Sequence, residues 1–191
     1  MLDTLNQKIS FILELEKLKG VLRKTRPIGL DRRENSAEHS WHVTLTALVL
    51  LEDAPAELDA LKVLKMLLVH DVVEIDAGDV FVYDTQGRAD VADAEEAAAQ
   101  RIFGLLPDPL GADLLALWRE FEAAESAEAL FAKAMDRVNP VLQNCTADTS
   151  SWEEMGIGQD RVLAVNERIG AQVPDLWVTL KTKIEAVFAN L

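Results

Sequence analysis

At 191 residues and 49% hydrophobic side chains, the chain can bury one sizeable core, and nothing in it requires a second domain. Only 9 glycines and 6 prolines favour helix over an all-β fold, and a net charge of −14 excludes general binding to nucleic-acid polymers. A lone cysteine, Cys145, excludes an internal disulfide, no apolar run reaches the ~20 residues of a membrane span, and charges throughout residues 1–20 argue against a secretory leader, so a cytoplasmic location is expected.

Leu2, Leu5, Ile9, Ile12, Leu15, Leu18 and Leu22 recur at three- and four-residue spacing and predict a long amphipathic first helix. Arg26-Pro27-Ile28-Gly29 breaks it. Residues 17–33 hold seven basic residues (Lys17, Lys19, Arg23, Lys24, Arg26, Arg32, Arg33) against one acid, Asp31. That cluster fits capture of a small anion, and it also fits ion pairing to neighbouring helices. Ser36 is expected to cap a second helix with Glu38 in its first turn. This helix carries His39, Trp41, His42, Leu45 and Leu48 and ends before "EDAPAEL". A third helix is expected from about Pro55 to Asp71, followed by "EIDAGDVFVYDTQG", read as a loop that admits a short strand. Further helices are expected at about 90–104, 110–124, 127–147, 158–171 and 174–190, giving an all-α bundle.

Within "VLKMLLVHDVVEIDAGDV", His70 and Asp71 sit in an apolar run. A buried, unpaired carboxylate costs several kcal/mol in principle, so Asp71 needs a cation, a metal or a set of donors. Consecutive helical residues diverge by about 100°, so His70 and Asp71 can share one ligand only at a helix end, with other helices completing the site. His39 and His42, three residues apart on the second helix, are candidates. Asp136 is another, mid-helix in "LFAKAMDRVNPVL", near Ala132, Asn139 and Pro140. Pro140 cannot donate to the carbonyl of residue 136 and is expected to distort the helix there. Glu74 and Asp79 follow the His-Asp pair closely.

With these residues in order, the chain resembles the HD-domain metal-dependent phosphohydrolases, above all the small branch that includes bacterial 5'-deoxynucleotidase and its eukaryotic relatives. The likeness runs through "LKGVLR", "ENSAEHS", "VHDVVEIDAGD" and "SAEALFAKAMDRV". It implies one HD-type domain over 1–191, its core at about 34–140 with the terminal helices packed on it. It further implies His39, His70, Asp71 and Asp136 as metal ligands, Glu74 and Asp79 as catalytic residues, and Arg23 as the contact to substrate phosphate. His42 is then left to packing. Two imidazoles with two carboxylates suit one Mn, Fe, Co, Ni or Zn ion and are richer in nitrogen than Mg usually takes. The implied activity is phosphate release from nucleoside 5'-monophosphates by a homodimer, with no nucleic-acid polymer and no membrane as partner. Alternatives are hydrolysis of another phosphorylated metabolite or alarmone, and a non-enzymatic, metal-stabilised helical dimer module. Lys24 stands where the deoxynucleotidase branch carries a tryptophan linked to sugar recognition, which leaves deoxyribose against ribose open.

Overall fold

The computed structural model describes residues 2–54 and 57–190, apart from the side chains of 88–90. In chain order its helices are α1 (Leu2–Leu15), α2 (Ser36–Leu50), α3 (Ala60–Val69), α4 (Glu74–Ala77), α5 (Thr85–Phe103) and α6 (Leu110–Ala123), then α7 (Ala127–Thr146), α8 (Ser151–Glu154), α9 (Gln159–Asn166), α10 (Arg168–Gln172) and α11 (Pro174–Phe188). Among the described residues, extended backbone pairs only at an isolated antiparallel bridge between Leu22 and Asn35. The all-α expectation holds.

Helix α7 is the axis of the fold, packed against α2, α3, α6, α10 and α11. Enclosure on so many sides explains why Phe131, Ala132, Ala134, Met135, Val138 and Val141 are all buried, well beyond a single stripe. They join Val43, Met66, Leu67, Ile169 and Ile184 in one apolar cluster. A second cluster joins Phe11, Leu18, Val72, Val73, Ile102, Phe103 and Trp118. The segment from Met66 to Val73 passes from the first cluster into the second, and His70 and Asp71 lie at the crossing.

Several expected boundaries shift. The first helix stops at Leu15, a 3-10 turn covers Glu16–Gly20, and Leu22 is 61% exposed in the bridge. Leu2, Leu5, Ile9 and Ile12 are exposed, and α1 is anchored through Phe11 instead. The third helix begins at Ala60, and its expected start, Pro55, lies outside the described residues. Residues 74–87 form α4, a loop over 78–84 and the start of α5, with no strand. The helix expected at 158–171 is two helices, α9 and α10. Helix α7 runs on through Pro140 without a break.

Candidate metal centre

Residues 21–25 lie against 34–36 through backbone hydrogen bonds from Arg23 N–H to the Glu34 carbonyl (2.8 Å), Glu34 N–H to Thr25 (3.0 Å) and Ser36 N–H to Val21 (3.1 Å). The Asn35 side chain accepts from Glu38 N–H, and the Glu38 carboxylate accepts from Asn35 N–H, so Asn35 caps α2 in place of the expected Ser36. Ser36 is thereby free for another task, and its hydroxyl donates to Glu74 Oε2 at 2.5 Å. One turn later His39 enters the interior with no exposed surface. Helix α3 ends at Val69, and His70 and Asp71 occupy the turn that follows. The Trp118 indole fixes that turn by donating to the His70 carbonyl at 3.2 Å. Gly78 then adopts φ +77°, open to glycine without strain, and turns the chain so that Asp79 comes within 3.5 Å of Arg23.

His39, His70 and Asp136 each bring one ligand atom into a group spanning at most 4.8 Å. His39 Nε2 is 2.9 Å from Asp136 Oδ1, and His70 Nε2 is 3.5 Å from the same oxygen. Asp71 joins them with Oδ1 at 3.0 Å from His70 Nε2 and Oδ2 at 3.9 Å from His39 Nε2. His70 Nδ1 donates to the Leu67 carbonyl at 2.8 Å, which in the neutral ring leaves a lone pair on Nε2. That Nε2 is buried and makes no hydrogen bond, yet it faces two carboxylate oxygens. Acceptor facing acceptor is repulsive unless a cation lies between them, so the donor set fits a divalent metal ion.

Arg23 is the organic cation of the site. Its guanidinium lies 2.9 Å from Asp71, 3.5 Å from Asp79, 3.6 Å from Glu34 and 3.9 Å from Glu74. Burial works against its charge, but Asp71, Asp79 and Glu74 more than offset this and hold it protonated. Burial, reinforced by the charge of Asp71, raises the Glu74 carboxyl well above its usual range. Burial also raises Asp79, against the pull of Arg23. Asp136 goes the other way: burial penalises its charge, but Arg137 and the two imidazoles hold it well below the usual carboxylate range.

The other basic residues of 17–33 mostly follow the ion-pair reading. Lys17 pairs with Glu14, Lys19 with Glu16, Arg26 and Arg33 with Glu154, and Arg32 with Glu38. Lys24 lines the cleft beside Arg23. His42 is exposed, its ring tilted beside Trp41 at 6.0 Å, whereas His39 is buried. Sequence reasoning missed Glu34, a buried carboxylate that accepts from Thr25 and Gln143 and stands 3.4 Å from His39 Nδ1. It also missed Lys133 and Arg137, which line the cleft from α7. Lys133 was visible as a charge inside the apolar "LFAKAM", whereas Glu34 read as part of a polar loop.

The family model for the HD domain matches residues 15–177. The chain belongs to the HD-domain family. HD domains are metal-dependent, and in this one His39, His70 and Asp136 form the group that could hold the ion. Human 5'-deoxynucleotidase HDDC2 is 31% identical to this HD-domain chain over 137 residues, 69% of the chain and 66% of the human protein, so the chain spans just under two thirds of that relative. The relative of the same name from Dictyostelium discoideum is 27% identical over 145 residues, 71% of the chain and 76% of that protein. A crystal structure described as a predicted metal-dependent phosphohydrolase from Magnetospirillum magnetotacticum MS-1 superposes with a TM-score of 0.92 at 40% identity, covering 98% of this chain and 94% of the other. An HD-domain phosphohydrolase from Listeria innocua shares the fold at 17% identity and TM-score 0.62, covering 95% and 86%.

Proposed function

We propose that this HD-domain protein is a metal-dependent phosphohydrolase that releases phosphate from nucleoside 5'-monophosphates. The observation that carries the reading is the convergence of His39, His70, Asp71 and Asp136 with Arg23 and Glu74 in one cleft. The names of its relatives, a 5'-deoxynucleotidase and a metal-dependent phosphohydrolase, support the same chemistry.

In this reading the two imidazoles and two carboxylates hold one divalent transition ion (Mn, Fe, Co, Ni or Zn, with Mg less suited). Such an ion, when bound, supplies Lewis acidity toward a phosphoryl oxygen and lowers the pKa of water. Glu74 moves the proton. Its carboxyl is raised well above the ordinary glutamate range by burial, and the Ser36 hydroxyl fixes the direction in which it points. Arg23 orients the phosphate with its planar donor fork, and Asp79 pairs with that fork at 3.5 Å. A cytoplasmic homodimer is part of the proposal. The free cysteine supports the location. Exposed Trp41, Leu45, Leu48 and Val49 along α2 support the dimer.

Phosphate release from a panel of deoxy- and ribonucleoside 5'-monophosphates, on metal-stripped protein with single ions added back, tests the reading. Metal-dependent release abolished in Glu74→Gln is expected. Tight metal binding with no release from any nucleotide overturns the nucleotidase. The ammonium of Lys24 at the cleft favours one second reading, hydrolysis of another phosphorylated metabolite, which the same assay separates.

A further inference from the structure

Four residues apart on α7, Lys133 and Arg137 share a helix face that flanks Asp136. An acidic protein of net charge −14 has little reason to place two neighbouring cations, Lys133 buried and Arg137 largely so, on one helix for stability alone. Lys133 is 8% exposed, donates to Glu122 at 2.8 Å and lies 4.1 Å above the Phe121 ring, which in turn lies against His70. Glu122 itself is 36% exposed on its side chain, so water screens that pair. Arg137 reaches Asp136 Oδ2 at 3.3 Å, and its buried Nε finds no acceptor among the described residues. Among the described residues its one close carboxylate is therefore a proposed metal ligand, whose charge the ion would share.

Both side chains face the cleft that holds His70, Asp71 and Arg23, and both also line an adjoining cavity of about 930 Å³. Arg23 is already surrounded by four carboxylates, so the less compensated positive charge of the cleft lies on exposed Lys24 and, closest to the proposed metal ligand Asp136, on the α7 wall. We infer that Lys133 and Arg137 form an anion subsite there and that it takes a second phosphate of the substrate. Bisphosphorylated nucleosides are then preferred to monophosphates. The identity of the reacting end rests on the phosphohydrolase reading, whereas the subsite stands on its own geometry.

The test titrates metal-loaded Glu74→Gln protein calorimetrically with 2'-deoxyadenosine 5'-monophosphate and 2'-deoxyadenosine 3',5'-bisphosphate. The bisphosphate is expected to bind on the order of 10- to 100-fold more tightly, the range of charge-assisted hydrogen bonds in a partly buried site. Arg137→Gln and Lys133→Gln, each added to that background, should remove most of this ratio while changing monophosphate affinity less than about threefold, and Arg137→Lys should restore part of it. Arg137→Gln carries the test if Lys133→Gln does not fold. Equal affinity for the two probes, or a ratio that survives Arg137→Gln, overturns the subsite. Phosphate release is followed separately with Glu74 in place. No release from either probe, with an Arg137-dependent ratio intact, overturns the phosphohydrolase reading and keeps the subsite.

Discussion

Arg23 Nη1 donates to Asp71 Oδ2 at 2.9 Å across 48 residues of sequence. The cation assigned to substrate phosphate is thus bonded to a residue assigned to the metal, and the two functions share an atom pair. Asp71 Oδ1 faces His70 while Oδ2 is held by Arg23.

Removing Arg23 should therefore do more than weaken substrate binding. Arg23→Ala leaves Asp71, Glu74, Asp79 and Glu34 facing one another without their shared cation, and breaking a buried pair in this way costs about 3–5 kcal/mol. Thermal melts of the metal-free variant should fall by several degrees, while Arg23→Lys recovers most of the stability and little of the phosphate affinity. Unchanged melting of Arg23→Ala would contradict the electrostatic account.

The ligand assignment predicts that His70→Ala and Asp136→Ala each bind no metal after dialysis against a stoichiometric amount and turn over no substrate. Chelation of the wild type should lower its melting temperature, because an ion bound only by the folded state stabilises it by mass action. Metal content by elemental analysis decides this. Full retention in either variant would discard that residue as a ligand.

Glu74 gives a pH dependence with a defined sign. Its folded pKa is raised above the ordinary 4.5, mainly by burial and then by Asp71, so the folded state holds the proton more tightly than the unfolded chain does. The stability this contributes is fully present below 4.5 and is lost as pH rises through the folded value. Glu74→Gln removes that loss. Urea midpoints of the two metal-free proteins should diverge with rising pH, the variant gaining on the wild type, and parallel curves would refute the shift.

Cys145 should be a poor nucleophile. Burial pushes its thiol up to about 11, so the thiolate is scarce near neutrality. Iodoacetamide at pH 8 should modify the folded chain at least about tenfold more slowly than the urea-unfolded chain.

The fold class and the converging residues were legible because each rests on a long-range pattern. Asp136 lies mid-helix in a segment with clear apolar periodicity, and His70-Asp71 interrupts another. What was not legible rests on local or tertiary choices. The four residues of α4 are too few to show a period. The periodic leucines of α1 read as a core face, but in this helix only Phe11 is buried and Leu15 packs partly against the core, while most of the stripe remains exposed. Asn35 and Ser36 are equally good caps by residue type. Asn35 takes the cap and the Ser36 hydroxyl goes to Glu74, a contact that sequence spacing cannot reveal.

The short pairing of residues 21–25 with 34–36 carries Arg23 on one side and leads directly into the helix that carries His39 on the other. Its backbone pairing is a few hydrogen bonds at one isolated bridge, far fewer than secure α7, and side-chain contacts of Thr25 and Arg23 add to it. Opening this clasp would take the guanidinium and an imidazole out of register together while the bundle stays folded, so competence of the centre is a separate cooperative unit with its own, smaller free energy. Amide exchange at Arg23, Glu34 and Ser36 would then report how often the intact protein is chemically idle.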